Sequence, residues 1–138
     1  MVKFIKVRQS DIDESERKLG FTIPKSLKEF YLKYGYGNIP SQGYNSNLLM
    51  HPVTAANFRL HTEEFDGFPD IELYDDYNRK YFVFFEANES LFFAVPLNGS
   101  SESVFAGKVK VANSIPEFIF KIIENEDYYL PLISGGNK

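Results

Sequence analysis

The apolar positions follow a helical period in three parts of the chain. Residues 11–19 predict a short surface helix, because Ile12 and Leu19 form only a thin apolar stripe. Residues 24–34 predict a second helix with a wide stripe, and a third helix is predicted after Ser114, where a capping-box pattern precedes an apolar repeat. The wide stripes consist of Leu27, Phe30, Tyr31 and Tyr34 in the second helix, and of Ile115, Phe118, Ile119, Ile122 and Ile123 in the third.

Between the second and third helices, short apolar runs alternate with turn signals, which is typical of strands in series. The strongest strand predictions are residues 79–86 and 91–95, joined by a loop of hairpin length at 87–90. The stretch 38–47 is rich in Pro, Ser, Gly and Asn and predicts a loop. Weaker strand predictions fall at 48–50, 71–74, 103–106 and 109–112, and the apolar run 58–61 is compatible with helix or strand.

The order of these elements predicts an α+β fold. Strands in series favour a mostly antiparallel central sheet, and helices grouped at both chain ends favour a two-layer sandwich with those helices packed on one face. The central hairpin carries apolar side chains at both alternating sets of positions, whereas a two-layer sandwich buries one face of its sheet. Either loops cover the second face, or an aromatic surface is exposed for a partner.

Composition supports a single folded domain over residues 1–138, because 43% of the residues are hydrophobic and 25% are charged. The chain has no cysteine, which excludes a disulfide scaffold, a thiolate metal site, an iron–sulfur cluster and a cysteine nucleophile. No apolar run approaches the ~20 residues that span a bilayer, and the first residues lack the apolar core of a signal peptide. We therefore expect a cytoplasmic protein that does not bind membranes.

Charge is distributed unevenly along the chain. The formal net charge is −4, but residues 1–40 are net basic and residues 60–78 contain neither lysine nor arginine. Since this acidic stretch would repel a phosphate backbone, we expect no direct nucleic-acid binding there. Its acidic residues are Glu63, Glu64, Asp66, Asp70, Glu72, Asp75 and Asp76.

Motifs for catalysis or metal binding are scarce. A metal site would need His51 and His61 to be joined by carboxylates such as Glu63 or Asp66, and packing or surface histidines are the more typical interpretation. The acidic stretch could supply paired carboxylates for acid–base chemistry, although solvated acidic loops are more common. The sequence contains neither a glycine-rich phosphate loop after a strand nor a G-x-S-x-G nucleophile motif.

A protein-binding surface is the functional hypothesis that the residues themselves support best. Residues 60–78 combine carboxylates, which steer a basic partner, with aromatic side chains, which give contact area at low entropic cost. In the competing interpretation, the aromatic residues belong to the core and the acids only keep the segment soluble. The candidate contact residues are Asp66, Asp70, Glu72, Tyr74, Asp75, Asp76 and Tyr77.

Three segments share features with one known family. Residues 12–35 contain an acidic helix ending in Leu-Gly, an apolar-Pro step, a helix with an apolar and aromatic stripe, and a glycine turn. Residues 111–119 (VANSIPEFI) have a strand–Ser–helix pattern, and residues 81–95 form the predicted hairpin. Together they resemble the SUKH superfamily, which includes the Smi/Knr family named after a fungal regulator of cell-wall glucan synthesis. Unlike many members, the chain has no glycine-rich turn at 87–90.

The resemblance implies an α+β domain without catalytic activity and without a cofactor. In bacteria such proteins look like immunity proteins, which bind and neutralise a cognate polymorphic toxin, often a nuclease, inside the producing cell. From the charge, we infer that the acidic stretch would suit a basic cleft and occlude the active site of such a toxin. Two alternatives are a regulatory scaffold that binds signalling or cell-wall proteins and a metal-dependent enzyme that uses residues 63–76.

Overall fold

The computed structural model describes residues 3–40, 46–88 and 91–135. The helices in these ranges are α1 (Gln9–Leu19), α2 (Lys25–Tyr34), α3 (Pro52–Leu60), α4 (Ile115–Glu124) and α5 (Leu130–Gly135). The strands are β1 (Gly37–Ile39), β2 (Asn47–Leu49), β3 (Tyr81–Ala87), β4 (Leu91–Pro96), β5 (Val104–Ala106) and β6 (Val109–Ala112), and 3₁₀ turns occupy Glu63–Phe65, Ile71–Tyr74 and Tyr77–Arg79. Over the described ranges, no helix has both the length and the apolar character needed to cross a membrane.

These strands form one antiparallel sheet in which neighbours in sequence are neighbours in space, in the order β1-β2-β3-β4-β5-β6. The longest pairing joins β3 to β4, with Tyr81 opposite Pro96 and Ala87 opposite Leu91. The predicted α+β class, antiparallel sheet and central hairpin are therefore confirmed. Residues 89–90 of the predicted hairpin loop lie outside the described residues.

Helical and irregular segments cover both faces of the central hairpin. The Phe93 ring on β4 lies 4.9 Å from the Phe118 ring of α4 and 5.0 Å from the Tyr129 ring. Its neighbour Phe92 points to the opposite face, where its ring lies 4.6 Å from the Phe58 ring of α3. The second apolar set of the hairpin is therefore buried within the domain, which decides between the two possibilities left by the sequence.

Helix α3 covers much of the sheet face that carries Phe92. From the sequence pattern alone, the run 58–61 is compatible with either helix or strand. The buried residues 55–58 of this helix follow one another directly, so the run lacks the spacing of an amphipathic helix. Tertiary contacts hold it instead: α1 packs along α3, and the Ser15 hydroxyl donates a hydrogen bond of 2.8 Å to the Pro52 carbonyl. On the opposite face of the sheet, α2 packs against α4.

The structure corrects three local predictions. Residues 71–74 form a 3₁₀ turn rather than a strand, and β1 (Gly37–Ile39) overlaps the start of the predicted loop at 38–47, of which residues 41–45 lie outside the described residues. Helix α1 begins at Gln9, before the predicted start at residue 11, so Asp11 lies in its first turn. There the Asp11 carboxylate accepts a hydrogen bond of 2.8 Å from the Arg8 N–H, which holds the pKa of Asp11 below its usual value.

Candidate partner-binding surface

Residues 61–80 form a covering segment that lies between α3 and β3. The chain leaves α3 through His61, whose positive φ of 59° ends the helix, and then runs through the three 3₁₀ turns. Phe65 and Ile71 are buried under this segment and pack into the core. The Phe65 ring lies 5.2 Å from the Phe58 ring of α3, so the covering segment is anchored to the helix by aromatic packing.

The acidic residues of the covering segment are all exposed. The side chain of Asp75 is 65% exposed and that of Asp76 is 94% exposed. Because apolar side chains hold the inner side of the segment, the negative charge is concentrated on its outer side. We call this outer side the acidic ridge; of the predicted contact residues it contains Asp66, Asp70, Glu72, Asp75 and Asp76.

The two predicted tyrosines are half-buried and take part in packing. The Tyr74 ring lies 5.5 Å from the Phe58 ring and 5.2 Å from the Phe92 ring. Tyr77 stacks on Tyr81 with 4.4 Å between ring centroids, and burial raises the pKa of both Tyr74 and Tyr77. Both tyrosines therefore lie next to the acidic ridge, and much of their ring surface is buried by packing within the domain.

Leu73 is an exposed apolar residue on the ridge, in the segment where a turn replaces the predicted strand. In a strand, positions 71 and 73 would share one face. In a 3₁₀ turn, with three residues per turn, positions 71 and 74 share a side instead. Ile71 is accordingly buried and Tyr74 half-buried, while Leu73 is 74% exposed. Leu73 thus adds one exposed apolar side chain to the surface of the ridge.

A groove beside the acidic ridge has the opposite charge. It consists of two adjoining hollows, of about 470 Å³ and about 410 Å³, that share Arg79, Lys80 and Tyr81 in their lining. Lys108, on the turn between β5 and β6, lines the larger hollow. We call this feature the basic groove. No local sequence pattern indicates this groove, because residues 80 and 108 are brought together only by the strand order.

The histidines lie beside different carboxylates. His61 Nε2 lies 3.1 Å from Asp75 Oδ1, and His51 Nε2 lies 3.6 Å from Asp11 Oδ1. His51 also has a local structural role, since its Nδ1 accepts a hydrogen bond from the Val53 N–H at the start of α3. In the part of the chain that the structure describes, no group of three or more His, Cys, Asp or Glu side chains is placed to hold a metal ion.

Glu64 is a ridge carboxylate that connects the covering segment to α3. The buried Asn57 of α3 donates a hydrogen bond of 2.8 Å from Nδ2 to Glu64 Oε1. The side-chain oxygen Oδ1 of Asn57 accepts hydrogen bonds from Lys18 Nζ and the Thr62 hydroxyl, each at 3.2 Å. This network joins α1, α3 and the start of the covering segment.

Comparison with known proteins identifies the family to which this chain belongs. The model of the SMI1 / KNR4 family (SUKH-1) matches residues 6–121. The chain is 37% identical over 131 residues to "Immunity protein YxxD" of Bacillus subtilis (strain 168), covering 94% of this chain and 89% of that protein. No solved structure gives a significant match. The match to the family model extends over most of the chain, from α1 through the central hairpin and the acidic ridge into α4; the chain belongs to the SMI1 / KNR4 family (SUKH-1).

Proposed function

We propose that this protein is a cytoplasmic immunity protein that binds a cognate protein toxin and neutralises it without catalysing a reaction. Membership of the SMI1 / KNR4 family and the name of the Bacillus subtilis relative support this role. The observation that carries the proposal is the acidic ridge: its carboxylates are exposed on a segment whose inner side is clamped to the core.

The ridge would bind a positively charged surface of the toxin. Exposed carboxylates attract a basic partner over distances of about a Debye length, which speeds the encounter. Because Phe65 and Ile71 anchor the backbone beneath, little conformational entropy is lost on binding. In a nuclease-type toxin, the carboxylates would occupy the positions that bind substrate phosphates and so occlude the active site.

The test uses a candidate toxin found among the proteins encoded beside the gene for this chain. Purified protein is added in increasing amounts, and toxin activity is followed together with complex formation by calorimetry. We expect activity to fall to background at about one equivalent, because tight occlusion of one active site needs one protein. Full toxin activity in the presence of excess folded protein would overturn the proposal and favour the regulatory alternative.

A further inference from the structure

The basic groove is a concave, positively charged surface to which the proposed function so far assigns no role. Lys80 and Lys108 are exposed, and neither ammonium group forms an ion pair within the described residues. Arg79 contributes a third cation, with Nε 3.7 Å from Asp76 Oδ1 and a side chain that is 81% exposed. Three cations thus surround one concave surface on a chain whose net charge is −4.

The floor of the groove is aromatic and held in place. The Tyr77 and Tyr81 rings are stacked with an interplanar angle of 14°, and the Phe105 ring lies 5.4 Å from Tyr81. The Tyr77 hydroxyl donates a hydrogen bond of 2.9 Å to the Gly107 carbonyl, which ties the β5–β6 turn to the covering segment. Leu73 lines the same hollow and adds apolar surface at its edge.

We propose that the basic groove binds a short segment of the toxin that carries carboxylate and aromatic side chains, so that the immunity protein contacts its partner with two adjacent surfaces of opposite charge. This inference rests on the proposed function and adds to it the chemistry of a second contact. The lysines pair with the carboxylates, and the tyrosine floor stacks against an aromatic ring. A partner must then match both charges, which increases specificity.

Charge favours a polypeptide over a nucleic acid as the occupant. Asp76 itself lines the groove, and its side chain is 94% exposed. A polyanion with a phosphate at every step would meet this carboxylate, and beyond it Glu72 and Asp75 of the ridge. A peptide can place two carboxylates at the lysines and uncharged groups near Asp76, so it avoids this repulsion.

The first experiment measures toxin binding by a charge-reversed groove variant. We expect K80E/K108E to bind the neighbouring toxin at least about tenfold more weakly than wild type, because two attractive contacts become repulsive. The matched control is K6E/K33E, which makes the same change in net charge on exposed lysines of the N-terminal segment and of α2. Thermal melting verifies that both variants are folded. Wild-type affinity in K80E/K108E would overturn this inference and leave the proposed function intact.

A second experiment needs no toxin. The ¹⁵N-labelled protein is titrated with a blocked Glu-Phe-Glu-Tyr-Glu peptide, and separately with a single-stranded oligonucleotide. We expect the peptide to shift the amide signals of residues 77–81 and 105–108, and these shifts to disappear in K80E/K108E. This result would support the groove chemistry even if the wild-type protein failed to bind the toxin. Absence of peptide shifts at the groove, or tighter binding of the oligonucleotide there, would overturn the inference.

Discussion

Asp75 and Asp76 are adjacent in the chain but have different neighbours. Asp75 lies 3.1 Å from His61 Nε2, whereas Asp76 lies 3.7 Å from Arg79 Nε and lines the basic groove. Both side chains are mostly exposed, so their contribution to folding is small and their charge acts mainly on molecules that approach. Residues of this kind are suited to test binding separately from stability.

Reversal of both charges in D75K/D76K should slow association with the toxin by about tenfold at low salt and reduce the dependence of the rate on salt. The reason is that the ridge would no longer attract a basic surface. Stopped-flow measurements at several salt concentrations test this. The matched control D13K/E14K changes an adjacent exposed pair on α1; an equal slowing in both variants would mean that net charge, and not the ridge, determines the rate.

Tyr77 should contribute to stability through a single hydrogen bond. The variant Y77F keeps the ring stack on Tyr81 but removes the donor to the Gly107 carbonyl. We expect the free energy of unfolding to fall by about 0.5–1.5 kcal/mol, the usual value for one such bond. Urea denaturation measures it, with Y34F on the exposed part of α2 as the control. Equal stabilities of Y77F and Y34F would contradict this role.

At the scale of elements, α4 shows how local sequence starts a buried helix. Ser114 caps it, since its hydroxyl accepts a hydrogen bond from the Glu117 N–H at 3.2 Å. The Glu117 carboxylate in turn accepts a hydrogen bond of 2.7 Å from the Asn113 N–H. This backbone hydrogen bond, together with Lys121 at 3.1 Å, lowers the pKa of Glu117. The predicted cap at Ser114 is therefore confirmed, whereas the Glu117 carboxylate accepts from the N–H of Asn113, one residue before the cap, rather than from that of Ser114 as in a full capping box.

The lowered pKa makes the helix start sensitive to acid. A carboxyl group whose pKa is lower in the folded state stabilises the protein above its unfolded pKa of about 4.3, and this stabilisation is lost as the pH falls through the folded pKa. We therefore expect wild type to lose more unfolding free energy than E117Q between about pH 6 and pH 3. Denaturant titrations at several pH values measure it, with E124Q as a control at the other end of α4. Parallel pH profiles for wild type and E117Q would contradict it.

At the scale of the whole molecule, aromatic residues on both sides of one sheet determine the architecture. Phe118 packs against Phe85 and Phe93 on one face, and Phe58 packs against Phe65 and Phe92 on the other. The face at Phe58 supports the covering segment and hence the acidic ridge. Stability and the shape of the proposed binding surface are therefore coupled through this face.

Truncation of Phe58 should affect both properties. We expect F58A to lower the free energy of unfolding by about 3–5 kcal/mol, as for other buried aromatic residues, and to speed amide hydrogen exchange in residues 62–79. F118A should cost a similar amount without a selective effect on that segment. The control F120A changes a side chain that is 61% exposed. Unchanged exchange of residues 62–79 in a folded F58A protein would show that the segment is held independently of α3.

The predicted parts of the candidate site depend on residues close together in sequence, and the unpredicted parts depend on residues far apart in sequence. The acidic composition of residues 60–78 is local, and the exposure of Asp66, Asp70 and Glu72 agrees with it. In the predicted strand, Leu73 would lie on the same face as Ile71. In the 3₁₀ turn at Ile71–Tyr74, Ile71 is buried and Leu73 points to solvent. The basic groove depends on Lys80 and Lys108, which are far apart in sequence, so no local pattern could reveal it.

The sequence by itself determined the helices α2 and α4, the central hairpin, the antiparallel class and the resemblance to the family, since each follows from local periodicity, turn residues or short motifs. Only the tertiary structure decided that α3 forms, that it covers the second sheet face with the segment at 61–80, and that a groove of opposite charge lies beside the acidic ridge. The physical reason is that these features depend on which surfaces exclude water together, and that is settled by contacts between residues distant in the chain.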